Sequence, residues 1–177
     1  MGQLMACTNL SATSSTNKKT GSERKQQQSC YYHGIVKVHY PSNPLQPGPI
    51  DVLTLRKCGQ FGVCCEAFPK QVTYLVDECV DNGKGANTVM SYLYHYLKNY
   101  GINAIAVHWN ADYCKGQNKN NAVMQYLALS ALTVRNWSIK ISSLPAGHTK
   151  FPPDWCFGLM KQCFRKTDVG CLEYIVL

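Results

Sequence analysis

Acidic side chains are scarce: ten Asp and Glu stand against eighteen Lys and Arg, and none at all lies between Glu23 and Asp51. The shortage leaves a formal net charge of +8, which suits a polyanion such as DNA, although added solubility accounts for the excess equally well. Long apolar runs are also missing. The longest mostly apolar stretch, 122–134, is interrupted by Gln125 and Ser130 and is too short to span a bilayer, so no membrane partner is expected. The opening Met1-Gly2-Gln3-Leu4-Met5-Ala6-Cys7 lacks the apolar stretch of a signal peptide, so the ten cysteines are expected to be reduced and the chain intracellular. Ala6 stands where myristoylation needs Ser or Thr, and Cys171 is too far from the end for prenylation.

Two further motifs are absent. No two cysteines have the two-residue gap that opens a zinc knuckle, so zinc is not expected; a cysteine-based zinc-binding interaction module around Cys58, Cys64 and Cys65 stays open as an alternative. Cys156 and Cys163 fall at helical spacing with Leu159 and Met160 and read as small core residues. Gly83-Lys84-Gly85 lacks the glycine spacing and the Gly-Lys-Ser/Thr ending of a nucleotide loop, and nothing else marks a small-molecule cofactor.

What is present divides the chain in two. Residues 1–29 are rich in Ser, Thr, Lys and Gln without apolar period, and read as a disordered basic and polar arm. Residues 30–177 read as one domain. Tyr31, Tyr32, Ile35, Val36, Val38 and Tyr40 suggest a strand closed by Pro41, and the run through Pro44, Pro47 and Pro49 is a loop. Stretches 61–67 and 71–77 suggest a hairpin. Helices are expected over about 87–100, 118–134 and 154–165, with strands over 105–109 and 139–144. The expected core stripes are Val89, Met90, Leu93, Tyr96, Leu97 and Tyr100 on the first helix and Cys156, Leu159, Met160, Cys163 and Phe164 on the last. Trp109, Trp155 and the tyrosines 92, 94 and 96 are expected to pack rather than to stack on bases.

Asp112 is the residue that points to chemistry. It ends an apolar strand and precedes Lys115-Gly116-Gln117-Asn118-Lys119-Asn120-Asn121, so a rigid element holds one carboxylate beside a loop rich in amide and ammonium donors. Half of the surplus positive charge falls at and after it, on Lys115, Lys119, Arg135, Lys140, Lys150, Lys161, Arg165 and Lys166 against four acids. Three strands followed by alternating helices and strands, βββαβαβα, is the order of a ribonuclease H-like α/β fold, with a mixed five-stranded sheet and helices on both faces. Phosphoryl-transfer sites on that fold gather acids from the middle of the first strand, the end of the fourth and the last helix. Asp112 fits the second position and Asp154 the third. Asp154 fits equally well as an acid that compensates a helix dipole.

Four blocks carry a closer likeness: Val38-His39-Tyr40-Pro41-Ser42-Asn43-Pro44; Gly62-Val63-Cys64-Cys65-Glu66; Asp112 with Gly116-Gln117-Asn118-Lys119-Asn120; and Gly147-His148-Thr149-Lys150-Phe151 with Asp154-Trp155-Cys156-Phe157-Gly158. From about Tyr31 onward the chain resembles an uncharacterised eukaryotic domain family related to transposases, with a ribonuclease H-like core of the type that uses three acids. The resemblance implies a DNA partner, a nuclear location and magnesium or manganese held by Asp112 and Asp154. Family members extend further in both directions, so a domain truncated at its C-terminus is implied. One departure matters: the family pattern has an aspartate eight residues before the proline that is Pro41 here, and this chain has His33.

A neutral imidazole is a poor magnesium ligand and cannot bridge two ions. The expected site is therefore His33, Asp112 and Asp154, degraded, with metal binding weakened. Gln117, Asn118, Lys119, His148, Lys150, Lys161 and Arg165 are the candidate nucleic-acid contacts, with a solvated turn as the plainer role for Gln117, Asn118 and Lys119 and a structural hydrogen bond for His148. An active metal-dependent enzyme for DNA cleavage and strand transfer is the competing expectation.

Overall fold

The computed structural model describes residues 5–8, 27–45, 55–66, 70–80, 83, 85–100, 106–114, 116–133, 138–145 and 152–175. The strands are β1 (Met5–Thr8), β2 (Gln27–Tyr40), β3 (Arg56–Cys65), β4 (Lys70–Asp77), β5 (Ala106–Asp112) and β6 (Ser138–Leu144). The helices are α1 (Ala86–Tyr100), α2 (Asn121–Leu132) and α3 (Pro152–Lys166), with single 3-10 turns at Glu78–Val80 and Leu172–Ile175. The sheet runs β1-β4-β3-β2-β5-β6. β2, β3, β4 and β1 are joined antiparallel, whereas β2–β5 and β5–β6 are parallel.

Five of these strands make the mixed sheet that the residue pattern suggests; the sixth, β1, does not follow from it. Met5–Thr8 pairs antiparallel with Gln71–Tyr74, so residues 1–29 are not wholly an unstructured arm. Backbone hydrogen bonds to an open sheet edge need no apolar alternation, which is why four residues in a polar context escape a periodicity test. Gln27–Ser29 likewise extend β2 and pair with Ala106–His108.

The two faces of the sheet carry different cores. On one, Val89, Tyr92, Leu93 and Tyr96 of α1 and Val123 and Leu127 of α2 pack on Cys30, Tyr32, Phe61, Val63, Tyr74 and Trp109. The rings interlock: Tyr32 lies 5.7 Å from Trp109, and Tyr92 lies 5.0 Å from Phe61 and 4.9 Å from Tyr74. Such pairs add about 0.5–1.5 kcal/mol each beyond their buried area. Tyr92 replaces Tyr100 in the expected stripe because Tyr100, in the last turn of α1, is 38% exposed.

On the other face α3 covers a smaller cluster of Val38, Tyr40, Cys58, Leu75, Val169 and Ile175. It starts with Pro152 and Pro153, whose missing N–H groups cost nothing in a first turn, and ends with Arg165 and Lys166 beside its unpaired carbonyls. Only glycine lets it come so close. A Cβ on Gly62 would stand 2.9 Å from Phe157 of α3 and 3.0 Å from Gln71.

A polar clamp closes the far end of β2, β3 and β4. The Asp77 carboxylate accepts the backbone N–H of Cys79 at 2.9 Å, the Tyr40 hydroxyl at 2.9 Å and the Arg56 guanidinium at 3.0 Å. These donors, the Cys79 N–H foremost, hold the carboxyl below its ordinary value of 3.8. A depressed acid stabilises the fold at pH above its unfolded value and loses that contribution as pH falls through the folded one. Asp77→Asn is therefore expected to lower stability in urea by on the order of 1 kcal/mol at pH 7. The gap between variant and parent should close when both are measured well below pH 3.8; a gap unchanged by acid would remove the charged clamp from the account.

Candidate functional site

The site begins with an irregularity in β2. Its pairing with β3 slips between His33 and Val36. Before the slip Cys30 and Tyr32 face the α1 side, and after it Ile35 does, while Val38 and Tyr40 face α3. An extra residue in one strand produces this change of phase. It leaves His33 on the α3 side of the sheet, where its ring meets Phe157 edge-on at 5.7 Å.

Asp112 arrives from the adjoining strand. Tyr32 pairs with Ala111 in the parallel β2–β5 ladder, so His33 and Asp112 are the next residues on neighbouring strands. Gly34 keeps the space between them open. A Cβ there would collide with Oε1 of Gln117 and lie 4.0 Å from Oδ1 of Asp112. Asp154 comes from the first turn of α3, and its Oδ1 is 3.0 Å from Nε2 of His33.

His33 is thus held at both ring nitrogens. Nδ1 lies 2.9 Å from the Gly34 carbonyl and Nε2 faces the Asp154 carboxylate. A carbonyl only accepts, and so does an ionised carboxylate, so both contacts are hydrogen bonds at once when each nitrogen carries a proton. The two side chains are 23% and 32% exposed, which leaves the pair open to a solvent-borne ligand.

The loop after Asp112 is built around its carboxylate. The backbone N–H groups of Gln117, Asn118 and Lys119 all turn in on the Cys114 carbonyl. Asn118 is fully buried, and its Nδ2 donates to Oδ1 of Asp112 and to the Asp112 backbone carbonyl at 3.3 Å. Asn120 caps α2 by accepting the Val123 N–H at 3.0 Å, which explains why that helix starts at Asn121 and not at Asn118.

The candidate nucleic-acid contacts separate accordingly. Asn118 is corrected: a buried side chain spent on Asp112 has no donor for a phosphate. Gln117 is half-buried over Gly34. Lys119 is exposed, with Nζ 3.0 Å from the Tyr113 hydroxyl and 4.1 Å from its ring centre. Lys161 and Arg165 are exposed on α3, in the same stripe as Asp154 and Gly158. His148 and Lys150 lie outside the described residues. Two aromatic residues flank the acids. Trp155, next to Asp154, is 54% exposed and not packed as its type suggests, and Tyr113, next to Asp112, is 41% exposed. Only their position beside the two acids could have singled them out.

Magnesium chemistry of the two-ion kind asks for several carboxylates with free oxygens. Two acids and an imidazole do not supply them, because Asp154 is engaged by His33 and Asp112 by Asn118. Among the described residues no group of three or more His, Cys, Asp or Glu is placed to hold a metal ion. The donor set does not fit a pair of magnesium ions. Nor is any helix among the described residues long and apolar enough to cross a membrane.

No protein-family model, curated protein or solved structure matches the chain.

Asn118→Ala removes a buried donor from Asp112, and about 2 kcal/mol of stability should be lost in urea denaturation. Lys161→Ala, at an exposed position, should stay within about 0.5 kcal/mol of the parent. Equal and small effects at the two positions would mean that Asn118 does not support the site.

Proposed function

We propose that the chain carries a ribonuclease H-like domain of transposase or integrase descent, its strand-cutting chemistry lost and a nucleic-acid-binding surface kept. One observation carries the reading: His33 Nε2 lies 3.0 Å from Asp154 Oδ1, next to the strand end that presents Asp112. His33 and Asp154, far apart in the chain, meet one strand away from Asp112, which supports reading the imidazole as standing in the position of a first acid. The first of three antiparallel strands lies beside the parallel fifth strand, which supports the fold assignment.

The loss of chemistry follows from charge. An imidazole that donates to Asp154 takes up the oxygen a cation would need, and adds no negative charge to attract one. Binding needs no such centre. Lys119, Lys161 and Arg165 offer exposed cations around the cluster, and Trp155 offers a ring face on which an unpaired base can stack. A nuclear location accompanies a DNA partner.

Purified protein is expected to leave DNA intact with magnesium or manganese. His33→Asp should instead gain a manganese-dependent rise in melting temperature, worth about 2.7 kcal/mol when the ion is at a hundred times its Kd. Robust cleavage by the unaltered chain, abolished by Asp112→Ala, would overturn the loss of activity and favour the enzyme reading.

DNA affinity should fall linearly with salt on logarithmic axes, and replacing Lys161 and Arg165 together by Ala should reduce that slope by about 2. Single-stranded DNA should quench tryptophan emission in the parent more than in Trp155→Phe. Binding indifferent to salt, or none, would remove the nucleic-acid part.

A further inference from the structure

A second site lies under α3, sharing with the proposed nucleic-acid surface only Lys161. Between the helix, β2, β3 and the C-terminal 3-10 turn is a cavity of about 320 Å³. Val38, Met160, Phe164, Val169 and Ile175 give it apolar walls. Gln60 is the buried polar group among them, 1% exposed. Its place in β3 fixes its direction. Cys58, two residues before, belongs to the cluster under α3, and Gly62, two residues after, is covered by Phe157 of α3. Alternation puts Gln60 on that same face.

Its Oε1 has no hydrogen-bond partner among the described residues. An orphaned buried acceptor is costly, and native folds keep one mainly where something else supplies the proton. A leucine would fill the position at no such cost. The volume falls at the lower end of the range for small-ligand sites, roughly 300–1,000 Å³, and apolar walls around one oriented polar group are what such sites present.

We infer that this cavity binds a small, mainly apolar molecule of roughly a dozen non-hydrogen atoms, and that the Gln60 amide turns toward the cavity so that its Oε1, closed off in the free protein, meets one hydroxyl or N–H donor of the ligand. The walls set its size and mainly apolar character, with Lys161 the one charged side chain on the lining among the described residues. Gln60 sets its orientation and selects a donor over an acceptor.

A matched pair of probes tests this with the full chain. 2-Naphthol and 2-methylnaphthalene have nearly the same shape, and only the first donates a hydrogen bond. Equilibrium dialysis should show saturable uptake of both by the parent. Gln60→Leu should cut the preference for 2-naphthol over 2-methylnaphthalene about tenfold, the size expected for one buried hydrogen bond. The melting temperature of the free variant should hold or rise, since the orphaned oxygen is gone. Met160→Trp, which fills the cavity, should abolish uptake of both probes. It decides the question if Gln60→Leu fails to fold. Absence of saturable uptake by the parent would show a cavity for water only, and a preference unchanged in Gln60→Leu would show that Gln60 does not orient the ligand; either result overturns the inference.

Discussion

The slip of one residue in β2 is the constraint on which the site depends. With regular alternation from Tyr32 onward, Val38 and Tyr40 would face α1, and the cluster under α3 would lose its two β2 contributions. The bulge lets one strand serve both cores. Cys30 and Tyr32 belong to the aromatic layer, and Val38 and Tyr40 to the layer beneath α3. Gly34 lies at the bend, where a Cβ would make the end of the flexible Gln117 side chain shift. The same bend brings His33 to Asp154 and leaves Asp112 one strand away. A β-bulge commonly re-aims a side chain beside a functional site, and here it re-aims an imidazole.

An imidazole beside Asp154 decides the sign of the local interaction. Three acids in this space would repel one another and need cations to stay together. His33 and Asp154 attract. The cluster therefore holds together without an ion, and the first turn of α3 is tied to the centre of the sheet by a polar contact as well as by Phe157 on Gly62.

Much of this was legible from residue order where one face of an element is apolar. The helix expected over 87–100 is Ala86–Tyr100, and the strand expected over 139–144 is Ser138–Leu144. Legibility failed where polar groups do structural duty. The strand ending in Asp112 runs past Trp109 through Asn110, which is buried and donates to Ser29 across the ladder. Gln60 and Asn118 read as surface residues by type, yet both are buried, because hydrogen bonding and cavity geometry depend on partners far away in the chain. The bulge left one trace, Gly34 within a β-branched and aromatic run, and a lone glycine does not say which way a strand will turn.

The borders of the sheet carry a last consequence. A ladder that stops at a strand margin exposes a row of amide and carbonyl groups, an invitation to polymerise with a neighbour. On one margin β4 is overlaid by four residues of the same chain, too short a template to propagate far. On the other, β6 places the charged and exposed Lys140 third among its seven residues, where a copy stacked in parallel register would set ammonium against ammonium. Among the described residues both ends of the ladder are therefore poor growth points, which works against stacking into fibrils.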